Sequence, residues 1–153
     1  MNKRNKYILF GIVMLIIVGL GIFYMSPSNT TFKKAVLDQL DVAEVSSIKI
    51  DKSGAAVDEN EVTITDPGEI DKILGTLAQI NLRKSRLSNI KYNDSYWITI
   101  ETKSENLKFG ITLYDQNYLE TYEYNAKIPK NKIQSYKITN DFDLEVIRDL
   151  FKK

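Results

Sequence analysis

The chain has no cysteine and no histidine among its 153 residues. These two absences exclude serine–histidine and cysteine–histidine catalytic arrangements, thiolate nucleophiles and the usual zinc sites. They also exclude disulfides, so packing alone must stabilise the fold. Any catalysis would have to use carboxylates, lysines, hydroxyls or a hard metal bound through oxygen. We expect no cofactor and no metal.

The chain also lacks an excess of either charge, because it has 21 basic and 20 acidic residues. Lys3, Arg4 and Lys6 come long before the first acidic residue, and without them the chain has 18 basic and 20 acidic residues. Binding to nucleic acid depends mainly on neutralising phosphates, so a nearly neutral domain is not expected to have a nucleic-acid partner.

One long hydrophobic run is present at residues 7–25, YILFGIVMLIIVGLGIFYM, and it carries no charge. As a helix it would span about 28 Å, close to the hydrocarbon thickness of a bilayer. The basic residues before it predict a cytoplasmic amino terminus and an external domain. We therefore expect a single-pass signal anchor in the cell membrane. A cleaved signal peptide is the alternative, although its apolar region is typically shorter, at ~7–15 residues.

The predicted organisation has four parts: a basic cytoplasmic terminus (1–6), the anchor (7–25), a linker with a stalk helix (26–44) and an extracytoplasmic domain (45–153). In the third part, Phe32, Val36 and Leu40 repeat at four-residue spacing, which indicates a weakly amphipathic helix. Such a helix could also lie on the membrane or pack on the domain.

The domain itself is predicted to be α+β, a small antiparallel sheet with helices packed against it. The strands are VSSIKI, EVTITD, SYWITIETK, LKFGITLY, YLETYEY and IQSYKIT. A helix is predicted to begin after Asp66, the expected N-cap, which Pro67 follows, and to bury Ile70, Ile73, Leu74 and Leu77. A last helix, FDLEVIRDLFK, is expected to be capped by Asn140 and Asp141.

Register follows from keeping the apolar residues on one face, because a shift of one residue would scatter them. A three-residue turn at 115–117 then joins the next pair of strands. The predicted partners are Ile100 with Phe109, Ile98 with Ile111, Tyr96 with Leu113, Leu113 with Leu119, Tyr114 with Tyr118, and Gly110 with Tyr122.

Four of the nine tyrosines fall within residues 114–124. The predicted register places Trp97, Tyr114, Tyr118, Tyr122 and Tyr124 on the second face of the sheet, which is a candidate surface for a protein, peptide or envelope polymer. The alternatives are that these residues only stabilise strands, that Tyr122 covers Gly110, or that the C-terminal helix buries the face.

The segment NLRKSRLSNIK contains Arg83, Lys84, Arg86 and Lys91, in a presumed loop or edge strand. Such residues either block strand-to-strand association at an exposed edge or contact an anionic surface such as lipid headgroups or a wall polymer. The acidic turn 51–61 lacks the residue order of a calcium loop.

Paired carboxylates are the only plausible acid–base machinery. The strand region contains Asp94, Glu101, Asp115, Glu120 and Glu123, and no spacing singles out a pair. We therefore predict a binding protein rather than an enzyme, with a carboxylate-dependent hydrolase acting on the cell envelope as the alternative.

Three stretches, KYNDSYWITI, LKFGITLYDQNYLE and SYKITNDFDLEVIRDL, resemble a family of small membrane-anchored extracytoplasmic proteins from bacilli and related Gram-positive bacteria. The resemblance covers approximately residues 45–151 and rests on strand patterns. It implies a cell-surface location and a Gram-positive source. That family has no known function, so the resemblance implies no site residues.

Overall fold

The computed structural model describes residues 11–17, 29–53, 61–88, 90–104, 107–115, 117–125 and 132–152. Residues 11–17 are helical and exposed. The basic terminus, the remainder of the predicted anchor and most of the acidic turn lie outside the described residues. Within those ranges, no helix has both the length and the apolar character required to cross a membrane.

The described part folds as an α+β domain with one antiparallel sheet of eight strands. The strand order is β1-β4-β8-β7-β6-β5-β2-β3. The elements in chain order are β1 (Asn29–Thr31), α1 (Phe32–Ala35), β2 (Val45–Lys52), β3 (Glu61–Ile64), α2 (Pro67–Ala78), β4 (Asn81–Lys84), β5 (Ser95–Thr102), β6 (Leu107–Tyr114), β7 (Tyr118–Asn125), β8 (Lys132–Ile138) and α3 (Glu145–Arg148), with 3-10 turns at Leu37–Gln39, Val42–Glu44 and Asp149–Phe151.

The predicted registers are confirmed for both hairpins. Ile98 lies opposite Ile111 in the β5–β6 pair, and Tyr114 lies opposite Tyr118 in the β6–β7 pair. The turn between β6 and β7 ends at Asn117, whose φ of 60° is in the left-handed region. Asparagine tolerates this conformation, which a three-residue hairpin turn requires at its last position.

One face of the sheet is buried beneath the helices, and we call it the core face. Its side chains alternate along each strand with outward-facing ones, as the pleat requires. Helix α2 packs on it with the four apolar residues predicted from their spacing. The buried residues of this face are Ile48, Ile50, Ile64, Leu82, Tyr96, Ile98, Ile100, Phe109, Ile111, Leu113, Leu119, Tyr136 and Ile138.

The start of α2 is also as predicted. The Asp66 carboxylate accepts a hydrogen bond from the backbone N–H of Glu69 at 2.9 Å, and Pro67 occupies the first turn. This bond satisfies one of the N–H groups that a helix leaves unpaired at its amino end.

Asp66→Ala is expected to lower the free energy of unfolding by about 1 kcal/mol, because the cap is lost. Asp71→Ala, in the same helix but without a cap role, serves as the control and should change stability by less than about 0.5 kcal/mol. Denaturant melts of the two variants measure the difference, and equal effects would show that the cap contributes nothing.

Residues 29–44 belong to the folded domain and do not form the predicted stalk helix. Phe32 and Val36 are fully buried, and Leu37 and Leu40 are nearly so. The backbone N–H of Phe32 donates to the carbonyl of Ile80 at 2.9 Å. The helix ends after one turn, so the apolar residues reach the core from a short helix and a 3-10 turn.

The C-terminal cap differs from the prediction. The Asn140 side chain accepts from the N–H of Asn81 at 2.7 Å and donates to the carbonyl of Gln79 at 3.0 Å. Asn140 follows β8, which pairs with β4, so it lies beside the start of β4 rather than at a helix. Asp143 instead accepts from the N–H of Glu145 at 2.9 Å, and α3 is only four residues long.

Candidate binding face

The sheet surface opposite the core face, which we call the outer face, carries all five predicted aromatic residues. The pairing of β5, β6, β7 and β8 puts Trp97, Tyr114, Tyr118, Tyr122 and Tyr124 on this side. Helix α3 lies on the other side, where Ile147 joins the core and the Phe151 ring is 5.9 Å from that of Tyr96. The interpretation of the outer face as a second core beneath the C-terminal helix is therefore wrong.

Trp97 lies over the backbone of Gly110, and the indole is still 45% exposed. A Cβ at position 110 would come within 2.9 Å of the indole Cζ2 atom, so any larger residue there would push the ring away. The indole Nε1–H donates to the Thr99 hydroxyl at 3.0 Å. The three atoms nearest to a Cβ at this position all belong to Trp97, so the indole covers the bare backbone, and its bond to Thr99 holds the ring in one orientation.

Contacts with Glu120 and Tyr92 hold the Tyr114 side chain in place. Its hydroxyl donates to the Glu120 carboxylate at 3.1 Å, and the Ser135 hydroxyl donates to the other oxygen of Glu120 at 3.0 Å. The Tyr92 ring packs on Tyr114 with the ring centroids 4.8 Å apart. Burial and the neighbouring Glu120 charge raise the pKa of Tyr114 to about 12. Tyr114 therefore stays protonated and serves as a hydrogen-bond donor within the face.

The connection from β4 to β5 contacts the outer face at the end that carries Tyr114. Three strands separate β4 from β5, so the connection must cover four strand spacings, about 19 Å. Its described residues include Tyr92, which contacts Tyr114, and Asn93, whose N–H donates to the Asp115 carboxylate at 3.2 Å. Tyr92 thus covers Tyr114, while Trp97, Tyr124 and Ile133 toward the other end of the face stay exposed.

The open end consists of Trp97, Tyr122, Tyr124 and Ile133, which we call the aromatic patch. Tyr124 is 43% and Ile133 is 67% exposed, while Tyr122 is half-buried between Gly110 and Ile133. Ile133 and the exposed Tyr92 were not among the residues predicted from the sequence. The alternation of Gln134, Tyr136 and Ile138 toward the core indicates that Ile133 points outward, and that signal was available.

Tyr118 lies between the two ends of the face. It is half-buried, and the Lys137 ammonium is 6.0 Å from its ring centroid, at the outer limit of a cation–π contact. Lys137 in turn lies opposite Arg83 on β4. Tyr118 therefore lies between the other aromatic residues of the outer face and two basic residues, Lys137 and Arg83.

The five carboxylates considered for catalysis are each engaged by a neighbouring group. Glu120 and Asp115 accept the hydrogen bonds already described. The other contacts are Asp94 with Lys52 at 3.7 Å, Glu123 with Lys132 at 3.6 Å, and Glu101 accepting from Ser47 at 3.1 Å. These contacts stabilise the sheet and single out no acid–base pair.

A cleft of about 310 Å³ lies between α2 and α3 and is lined by acidic residues that include Glu69, Asp143, Glu145 and Asp149. Glu145 forms ion pairs with Arg148 at 2.7 Å and Lys152 at 3.2 Å, and these contacts lower its pKa. The general acid of a glycoside hydrolase needs a raised pKa, so Glu145 does not suit that role. In the ranges the structure describes, no group of three or more potential ligands could hold a metal ion.

The four predicted basic residues do not form one patch. Arg83 and Lys84 are neighbours on β4, so they point to opposite faces, and Arg86 and Lys91 lie in the connection to β5. All four are exposed, and none forms an ion pair with a carboxylate of the described residues. β4 is not the edge strand, because β1 pairs with it on the outside.

Comparison of the chain with family models, curated proteins and solved structures gives no match. The resemblance to anchored extracytoplasmic proteins of Gram-positive bacteria stays a prediction.

Proposed function

We propose that the protein is a membrane-anchored extracytoplasmic binding domain that contacts a protein, a peptide or an envelope polymer through the aromatic patch. The observation that supports this proposal is that the described helices cover only one face of the sheet. The helices of the described part pack on the core face, and the aromatic patch on the other face keeps three large side chains at least 43% exposed.

The patch has properties that favour recognition. Aromatic side chains bury a large area at a small cost in torsional entropy, and they dominate the energetics of many interfaces. Trp97 is already held in place by Gly110 beneath it and by Thr99 beside it. Its side chain therefore loses less conformational entropy when a partner binds. Contiguous exposed apolar side chains are typical of contact sites, whereas isolated ones are not.

The anchor is supported by the helical residues 11–17. Their apolar side chains, which include Ile12, Leu15 and Ile17, are at least 45% exposed. Seven consecutive uncharged residues in this state suit a hydrocarbon environment better than water. Together with Lys3, Arg4 and Lys6, they favour a single-pass anchor with the domain outside the cell.

Protease added to intact, wall-stripped cells is expected to remove a tag placed at the C-terminus of the chain, because the domain lies outside. A cytoplasmic marker protein should survive the same treatment as the control. A protected C-terminal tag, or a released domain that lacks residues 1–25, would contradict the anchored topology.

Ile133→Ser is expected to weaken binding at the patch by at least tenfold while leaving the melting temperature nearly unchanged, because the side chain is largely in water. Val42→Ser removes a comparable exposed aliphatic side chain elsewhere and serves as the matched control. Co-sedimentation of the reconstituted full chain with purified wall polymer, and retention on immobilised envelope protein, provide the two readouts. Equal retention of both variants and the parent on both supports would refute a binding role for the patch.

A further inference from the structure

The edge of the sheet formed by β1 and β4 lies where the proposed anchor joins the domain. Only three residues separate Met25 from Asn29, the first residue of β1, so the two can be at most about 14 Å apart. Asn29 lies opposite Arg83 in the β1–β4 pair. The end of the anchor therefore fixes this edge, and no other edge of the sheet, close to the bilayer.

This edge is basic. Lys33 and Lys34 on α1, Arg83 and Lys84 on β4, and Arg86 just beyond are all exposed, and we call them the basic edge. None of the five has an ion-pair partner among the described residues. Five exposed cations around one short strand repel one another unless an anion lies near them.

Two clefts flank β1, and both are lined with groups that bind phosphate oxygens. The first, of about 250 Å³, includes Thr30, Lys34, Gln39, Lys84 and Gln134. The second, of about 410 Å³, includes Asn29, Thr30, Thr31, Lys34, Asn81 and Thr139. Among the residues that the structure describes, no carboxylate lines either cleft. Ammonium, hydroxyl and amide groups without a competing carboxylate form a suitable lining for an anionic headgroup.

We infer that the basic edge contacts the anionic lipid headgroups of the leaflet from which the domain projects. This inference rests on the proposed anchor. The headgroup layer extends several ångströms beyond the hydrocarbon, and its negative potential extends about one Debye length further, about 8 Å. The basic edge, which the short tether keeps near the bilayer, lies within that range. The partner is thus the bilayer itself, and the contact sets the orientation of the domain.

The contact orients the sheet so that its β1 side lies at the membrane and the direction from β1 to β3 is roughly perpendicular to the bilayer. β1 and β3 are the two outer strands of the sheet, and seven spacings of ~4.8 Å separate them by about 34 Å. With the basic edge on the headgroups, β3 points away from the bilayer. The aromatic patch, on β5, β7 and β8, then faces sideways at an intermediate height and stays accessible.

Energy transfer in lipid nanodiscs tests this orientation in the full chain. Because the chain has no cysteine, Gln39→Cys in the first cleft beside β1 and Thr63→Cys on β3 each provide a single labelling position. The donor is attached at one of these positions and the acceptor to the lipid headgroups. Discs of phosphatidylcholine are compared with discs of phosphatidylcholine and phosphatidylglycerol in equal parts.

In the anionic discs we expect strong transfer from position 39 and at least threefold weaker transfer from position 63. The difference should narrow in phosphatidylcholine discs and at high salt, where only the short tether keeps position 39 near the bilayer and position 63 is free to approach it. Lys84→Gln with Arg86→Gln should cause the same narrowing in anionic discs. Lys72→Gln with Lys103→Gln, which removes the same charge from exposed positions elsewhere, should not.

The outcomes separate this inference from the anchor. A chain that does not co-purify with discs of either composition overturns both. A chain that co-purifies but shows equal transfer from the two positions in anionic discs overturns only the orientation. Equal effects of the two double variants also overturn it, because the contact would then depend on net charge and not on the basic edge.

Discussion

Ile111→Ala and Leu113→Ala should each lower the free energy of unfolding by about 2–5 kcal/mol, because each removes a fully buried side chain and leaves a cavity. Tyr122→Ala, on the neighbouring strand but facing outward, should lower it by only about 0.2–1 kcal/mol, the value of a cross-strand contact. Denaturant melts followed by circular dichroism measure both. The contrast follows from the helices covering only one face of the sheet.

The comparison is informative because the residues are close in the sheet and differ mainly in the face they occupy. If Tyr122→Ala were as destabilising as Ile111→Ala, the outer face would be a second packed core. The aromatic patch could then not be available to a partner.

Phe32→Ala should be the most destabilising single change outside the sheet, at about 3–5 kcal/mol, because the ring is fully buried. Lys33→Ala, at the adjacent exposed position, is the control and should change stability by less than about 0.5 kcal/mol. A Phe32→Ala variant as stable as the control would show that residues 29–44 form a stalk detached from the domain.

The central hairpins could be predicted from the sequence because their apolar residues alternate without interruption. The set Ile98, Ile100, Phe109 and Ile111 fits one face in a single register, and a shift of one residue exposes half of it. The N-cap at Asp66 was equally predictable, since its signal is local. Both features depend on contacts between residues that are near in sequence or joined by a short turn.

The strands β1 and β4 could not be predicted in the same way. They are three and four residues long, and neither shows a clear alternation. Their pairing with each other and with β8 joins segments about 50 residues apart, and no local pattern encodes such a contact. The same reason explains why Asn140, which bonds to Asn81 beside the start of β4, was predicted to cap the last helix.

The candidate site was predicted in part. The face shared by the five aromatic residues followed from the register, but the cover over Tyr114 did not. That cover comes from Tyr92 in the β4–β5 connection, and its path depends on the strand order. The division of Arg83 and Lys84 between two faces was not predicted, because the sequence left this segment open as a loop or an edge strand and the division follows from the pleat of β4.

Fluorescence of Trp97 tests the openness of the outer face most directly. It is the only tryptophan in the chain, so its emission reports on the aromatic patch alone. In the folded full chain, reconstituted in lipid, acrylamide is expected to quench Trp97 efficiently, and purified wall polymer or envelope protein is expected to protect it. Ile133→Ser should reduce that protection. An indole that acrylamide reaches only after unfolding would contradict the proposal, because the patch would then be covered by the protein itself.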